Sequence, residues 1–417
     1  MTTALTPEEA ETHVRGVCFK TGPPERTGVE TEWLVQDRHN RRLPISVDRL
    51  DAALAPVEGP GALPGGSTLS REPGGQVELS SPPALSLTAC VEAMAADLTV
   101  LRTAVGQAGL TLVGQGLDPF RDPTRVLRHP RYRAMEGFFD REGPWGRVMM
   151  RRTASVQVNL DCGDDSDGVS GQRFRWELAH RIGPVLVAAF ANSPVQDGRS
   201  TGWLSTRQAL WFRMDASRTH QPRQHADPRV AWSRYALDAK VMCVRGVGGA
   251  RDRDWSAPPG LTFRDWLRGA PGLRPPTRAD LDYHLGTLFP PVRPRGWLEL
   301  RMVDAQHGDD WIVPTVLAAS LLDDPVASDA AYAATEPLCR NPEPYPPDDL
   351  WRRAARVGLA DPDLAKAARV CFAAADSALA RHGAPTALRR ALASFAERYP
   401  ERGRCPAHDQ LDALGRA

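Results

Sequence analysis

Hydrophobic and polar residues alternate with a period of two in four separate stretches of this chain, and each alternation leaves a similar polar face. In Gly28-Val29-Glu30-Thr31-Glu32-Trp33-Leu34-Val35, Glu30 and Glu32 share one side while Val29, Thr31, Trp33 and Val35 share the other. Gln76, Glu78 and Ser80 oppose Val77 and Leu79, and Gly74-Gly75 before them permits a tight turn or a close approach. Ser155, Gln157, Asn159 and Asp161 oppose Val156, Val158 and Leu160; Glu299 and Arg301 oppose Leu298, Leu300 and Met302. One such strand is the ordinary pattern of a half-exposed antiparallel sheet with a solvated acidic face. Four of them suggest a shared bowl. Buried neighbouring carboxylates repel one another, so such a bowl calls for a cation.

Between these strands the period changes to that of helices. Thr6 before Pro7 marks a helix start, and the spacing predicts a helix over 6–15. Ser86 caps a second, whose apolar stripe is Leu87, Val91, Met94, Leu98, Leu101 and Val105. A third, over 172–191, should kink at Pro184. Residues 205–219 read as one helical run with Arg207, Trp211, Asp215 and Arg218 on a single face. Helices are also expected over 309–323 and 346–399, the latter broken near Gly383–Pro385. Loops are expected over 55–75, 220–229, 245–260 and 269–278, irregular chain over 117–146, and a poorly ordered tail after Pro400. The fold class is therefore α+β: an antiparallel sheet forming an open bowl with helices on its outer face, in one domain over 1–417 whose helical C-terminal part spans about 309–400.

Composition narrows the chemistry. A chain of 417 residues, 42% hydrophobic and with a net charge of +1, buries a large core and lacks the basic excess of a nucleic-acid binder. No apolar run approaches the ~20 residues needed to span a bilayer. Seven scattered cysteines without a CxxC pair or a leading signal peptide favour a reducing, cytoplasmic setting. Lysine is confined to Lys20, Lys240 and Lys366, so arginine supplies nearly all positive charge. Lys20 stands where it reaches a phosphate or is simply exposed. Asp215 and Arg218 form either a surface ion pair or a substrate anchor. No P-loop occurs.

Glu30, Glu32, Glu78 and Glu299 have no His or Cys interleaved, a donor set for a hard cation, Mg²⁺ or Mn²⁺ rather than zinc. Such ions usually bridge to phosphate, and Arg301 beside Glu299 is placed to neutralise a transferred phosphoryl group. A metal-dependent hydrolase and a catalytically silent binding protein are the rival classes at this point.

The segments GVETEW, REPGGQVELSS, RTASVQVNLD, FANSP, STRQALWFRMD and WLELRMVDAQ occur in that order from about Lys20 to Gln306. Together they resemble the glutamate-cysteine ligases of the plant and proteobacterial type, most closely the actinobacterial branch that opens ergothioneine biosynthesis. The resemblance implies a glutamine-synthetase-like catalytic fold, ATP as co-substrate with Mg²⁺, and small-molecule substrates, L-glutamate and L-cysteine. It implies metal carboxylates at Glu30, Glu32, Glu78 and Glu299, and catalytic roles for Arg301 and Glu299. ATP contacts fall to Lys20, Gln157 and Arg301, Gln157 standing where some relatives have a metal-binding histidine. Substrate contacts fall to Arg207, Asn159 and Arg218. A ligase using another amine in place of cysteine is the alternative within the class, and the pattern sets no oligomeric state.

Overall fold

The four alternating stretches become neighbouring strands of one antiparallel sheet. In the computed structural model, which describes residues 4–246, 254–340 and 343–415, the strands are β1 (Thr27–Asp37), β2 (Thr68–Arg71), β3 (Val77–Ser80), β4 (Leu110–Val113), β5 (Ser155–Asp161), β6 (Val195–Gln196), β7 (Arg199–Ser200), β8 (Val292–Pro294) and β9 (Trp297–Asp304). The main sheet has the order β2-β3-β1-β5-β9-β8, with β4 pairing the far end of β1; β6 and β7 form a separate hairpin. Every pairing is antiparallel.

The register carries the polar face across the sheet. Glu32 lies opposite Glu78, Glu30 opposite Gln157, and Asn159 opposite Glu299. Because side chains alternate, Val29, Leu79, Val158 and Leu300 all go to the other side and are buried in the main core. Each such residue contributes roughly 1.5–3 kcal/mol by leaving water. Helices Leu87–Gln107, Gly183–Phe190 and Ile312–Asp323 pack against β1, β9 and β5. Thr31, a polar residue in the middle of the apolar side of β1, is satisfied locally, accepting from Trp33 Nε1 at 3.3 Å and donating to Met94 Sδ at 3.7 Å. No helix of the described residues is long and apolar enough to cross a membrane.

Several local expectations change. The Gly-Gly turn behaves as read: Gly75 has φ +86°, and a Cβ on Gly74 would lie 2.0 Å from the Arg151 carbonyl oxygen. The 55–75 loop, however, contains β2, which completes a hairpin with β3. The irregular stretch at 117–146 holds helix Pro130–Phe139 and the start of Trp145–Arg152. The 172–191 helix divides at Ile182 into Gln172–Arg181 and Gly183–Phe190, ahead of Pro184. The 346–399 region breaks a second time, at Gly358–Ala360, before helices Pro362–Arg381 and Thr386–Arg398. Past Pro400 the chain forms helix Pro406–Gly415, and Gln410 Nε2 donates to the Asn192 carbonyl at 2.9 Å. Part of the loop expected over 245–260, residues 247–253, lies outside the described residues.

The single helical face over 205–219 does not form. Thr206–Trp211 is a six-residue helix; Asp215 then caps a separate turn, Ala216–Thr219, by accepting from the Ser217 amide. Short Asp side chains compete for backbone N–H groups in this way, and the run ends where Asp215 does so.

Candidate active site

A cavity of about 420 Å³ lies over the polar face of the sheet, and its two walls differ in charge. Glu30, Glu32, Glu72 and Glu78 line one side. Their direct hydrogen-bond partners are neutral, with the charges of Arg207 and Arg301 acting from further off. Glu30 Oε1 accepts from Asn159 Nδ2 at 3.1 Å; Glu32 accepts from the Ser155 amide at 2.8 Å and Gln157 Nε2 at 3.3 Å. Glu78 Oε1 accepts from the Ser70 and Ser80 hydroxyls, both at 3.1 Å. Among the described residues none of the four forms an ion pair. Burial pushes Glu30 up to about 7, with the negative charges of Glu299 and Glu78 adding to the effect. Burial and Glu32 push Glu78 up to about 7 as well. Glu32 and Glu72 are raised too, chiefly by desolvation.

The opposite wall is built of arginines. Arg293, Arg295 and Arg301 line the cavity around Glu299, which is itself fully buried. The β8–β9 hairpin places Arg293 directly across from Glu299. Arg293 donates from Nε at 2.5 Å and from Nη2 at 2.9 Å, a two-pronged pair, and Arg301 Nη1 adds a third contact at 3.0 Å. Burial alone would raise Glu299, but Arg293 and Arg301 overcome it and hold the carboxyl well below its usual range.

The strand that carries Arg301 also contains a bulge. The β5–β9 register shifts between Val156 and Val158, so Arg301 and Met302 together face Gln157. Met302 and Val303 consequently both enter the core, and the clean alternation read for this strand ends there. Arg301 keeps the face of Glu299 and reaches over the cavity, where its guanidinium bonds Gln157 Oε1, while the bulge returns Asp304 to the polar side. Arg207, from the short helix Thr206–Trp211, fastens the bulge: its Nη2 donates to the Arg301 carbonyl at 2.9 Å, while Gln208 Nε2 donates to the Met302 carbonyl at 2.8 Å. Arg207 lines the cavity as well.

A family model described as glutamate-cysteine ligase family 2 matches residues 26–416, nearly the whole chain. The chain belongs to that family. Relatives include the glutamate-cysteine ligase EgtA of Mycobacterium tuberculosis, 42% identical over 97% of this chain and 90% of its own length. The EgtA of Mycolicibacterium smegmatis is 41% identical over 98% of this chain and 91% of its own. Among solved structures, the Francisella tularensis glutamate-cysteine ligase in complex with AMP aligns over 95% of this chain and 86% of its own, at 11% identity and a TM-score of 0.49.

Of the residues that the family resemblance singles out, Glu30, Glu32, Glu78, Gln157, Arg207 and Arg301 all border the one cavity. Asn159 and Glu299 stand directly behind it, Asn159 bonded to Glu30 and Glu299 to Arg301. Two do not join them. Lys20 lies over Gly296 beside a separate surface hollow shared with Arg15, Asp227 and Arg229, away from the glutamates. Arg218 is wholly buried and committed: Nε donates to Asp215 at 3.0 Å, Nη1 to the Thr287 carbonyl at 2.8 Å, and Nη2 to the Lys240 carbonyl. The ion pair of Asp215 and Arg218 forms, but buried and not at the surface as expected, and Arg218 does not line the cavity.

Three residues in or beside the cavity were not singled out from the sequence. Glu72 lies across the Gly-Gly turn from Glu78 and lines the acidic wall. Arg293 and Glu299 are equally distant from Gly296, a hairpin signal that would have paired them. Asp304 closes the WLELRMVD segment on the polar side only because of the bulge, which the alternation did not announce.

The acidic wall suits a hard divalent cation. Its donors are carboxylate oxygens in no direct ion pair, and their affinity for protons is raised first by burial and then by one another's charge. Among the described residues no three acidic, His or Cys groups close around a single point by themselves.

Proposed function

We propose that this chain joins the γ-carboxylate of L-glutamate to the amine of L-cysteine at the expense of ATP, forming γ-glutamylcysteine for ergothioneine biosynthesis. The observation that carries the reading is the division of one cavity into an unpaired acidic wall and an arginine wall, in a chain of the glutamate-cysteine ligase family. A ligase of this kind must bring two anions together, a carboxylate and a triphosphate. Oxygen donors on one side and guanidinium groups on the other meet that need.

A carboxylate is a poor electrophile, so its oxygen first attacks the γ-phosphorus of ATP and ADP departs. The cysteine amine then attacks the acyl phosphate carbonyl, inorganic phosphate leaves, and the amine nitrogen gives up a proton. Arg301 lies where the transferred phosphoryl group passes, and the pull of Glu299 holds its guanidinium in place. Glu30, Glu32, Glu72 and Glu78 would hold Mg²⁺, with Mn²⁺ as a substitute. Glu299, which the family resemblance counts with them, has Arg293 Nε and Arg301 on one oxygen and Arg293 Nη2 with Arg295 at the other, so it anchors the arginine wall. When bound, the cation would screen the phosphate charge and polarise the bond that breaks. Arg207 receives a carboxylate of the amino-acid substrate, Asn159 lines the same region, and Gln157 bonds to ATP while fixing Arg301. The cytoplasm is the compartment favoured by seven cysteines, all of them unpaired.

ADP release measured with glutamate against a panel of amines tests the reading. Turnover should require glutamate, ATP and a divalent cation, and cysteine should be the best acceptor. Hydrolysis without any amine would favour a hydrolase; a strong preference for another amine would favour the broader ligase.

A further inference from the structure

Asp304 does not itself line the cavity, yet four groups, one of them the lining residue Arg207, converge on its carboxylate. It is 1% exposed at the end of β9. Oδ2 accepts from the Asn192 amide at 2.9 Å and the Ser193 hydroxyl at 2.7 Å; Oδ1 accepts from the Ser205 hydroxyl at 3.0 Å and lies 3.7 Å from Arg207 Nη1. Both serines pass the connection on. Ser193 Oγ accepts from the Arg207 amide at 3.1 Å, and Ser205 Oγ from the Gln208 amide at 3.2 Å. The first turn of helix Thr206–Trp211 is therefore held, through two hydroxyls, by one buried anion.

We infer that Asp304 is a positioning residue for substrate binding, acting through Ser193, Ser205 and the side chain of Arg207 to set where Arg207 meets a substrate carboxylate. This rests on the reading of Arg207 as a substrate contact. Two independent links fix that arginine: Asp304 orients its backbone and draws its Nη1, while the Arg301 carbonyl accepts from its Nη2. The bulge explains why both come from one strand. By inserting one residue after Arg301, which already faces the cavity, it turns Asp304 off the core side and toward the helix that carries Arg207. A carboxylate is required because the three hydrogen bonds at this point all arrive as donors, and an amide would turn an N–H group against one of them.

A mutant cycle tests the inference in the full-length enzyme, using Asp304→Asn, Arg207→Gln and the pair. Asp304→Asn should raise KM for glutamate about tenfold or more, the scale of a lost charged hydrogen bond, with KM for ATP nearly unchanged. On the Arg207→Gln background it should add almost nothing to the glutamate KM. Ser193→Ala, which leaves Asp304 in place and cuts one link, should raise the same KM about threefold and serves if Asp304→Asn fails to fold. Additive effects, or a lower melting temperature with the glutamate KM unchanged, would overturn the positioning role. An unchanged glutamate KM in Arg207→Gln alone would instead remove Arg207 from the substrate contacts, and the inference with it.

Discussion

Glu78 and Glu299 are the same side chain on the same face of one sheet, and they sit in opposite electrostatic states. Glu78, on β3, has two hydroxyl donors and three acidic neighbours lining its side of the cavity. Glu299, on β9, has Arg293 and Arg301 in contact and Arg295 at 3.6 Å. Burial raises the first to about 7, whereas the arginines drive the second far the other way. Residue type and strand face are therefore not enough to assign a role. The compensating groups decide whether a buried carboxylate waits for a cation or already holds one, and here the two conditions stand on facing walls.

The arginine wall should fail most severely when its inner pair is broken. Arg293→Met leaves Glu299 buried with a weakened countercharge and also removes a donor to the Leu288 carbonyl. Breaking a buried pair from one side costs about 3–5 kcal/mol. Urea unfolding of the metal-free protein should show that loss. A change below about 1 kcal/mol would mean that Arg301 alone compensates Glu299 and that the clamp is redundant.

Arg301→Lys asks for less structure and more chemistry. Lysine keeps the charge but loses the planar, two-pronged donor set that meets Glu299, Gln157 and a phosphoryl group at once. We expect kcat to fall roughly 100-fold or more with ATP affinity less affected, because the contact counts most as charge spreads in transfer. Normal turnover with a lower melting temperature would make Arg301 a structural partner of Glu299.

On the acidic wall the sign reverses. Glu30 and Glu78 bind protons more tightly in the folded protein, at about 7, than at the ordinary value of 4.5. Between those values the native state carries the extra protons, so stability is fully present below about pH 4.5 and is lost as pH rises toward 7. The metal-free protein should therefore melt at progressively lower temperature across that window, and Mg²⁺ should restore the loss at neutral pH. Calorimetry in two buffers of different ionisation enthalpy should show proton release on Mg²⁺ binding near pH 6.5, and little near pH 8.5. A flat melting profile from pH 4.5 to 7 would remove the charge surplus on which the comparison rests.

How much of this was legible follows the range of each interaction. Period-two alternation is local, so the strands carrying Glu30, Glu78, Gln157 and Glu299 could be read directly, as could the Thr6 and Ser86 helix caps. Their register could not, because nothing within Gly28–Val35 states that Glu32 will face Glu78. The bulge was hidden in Met302-Val303, two apolar residues in succession inside an otherwise alternating strand. Arg218 misled because a helical period was carried through Asp215, where a side chain captures the backbone and stops the helix. The C-terminal helix was missed since its tie, Gln410 to Asn192, spans 218 positions of sequence.

The finest test of the two walls is Ser70→Ala. Ser70 lies on the edge strand β2 and donates to Glu78 Oε1, the oxygen that Ser80 also reaches, which leaves Oε2 free for a cation. Removing one hydroxyl takes a stabilising dipole from the charged carboxylate and raises its proton affinity further. Protons then compete with Mg²⁺ more strongly, but only where the carboxyl is partly protonated. Apparent Mg²⁺ affinity should fall about threefold at pH 6.5, the scale of one modest hydrogen bond, and stay unchanged at pH 8.5. An equal loss at both values would show that Ser70 shapes the site sterically and leaves the charge of Glu78 alone. A loss confined to the lower pH would show that, on this wall, hydroxyl groups perform in small measure what arginines perform for Glu299.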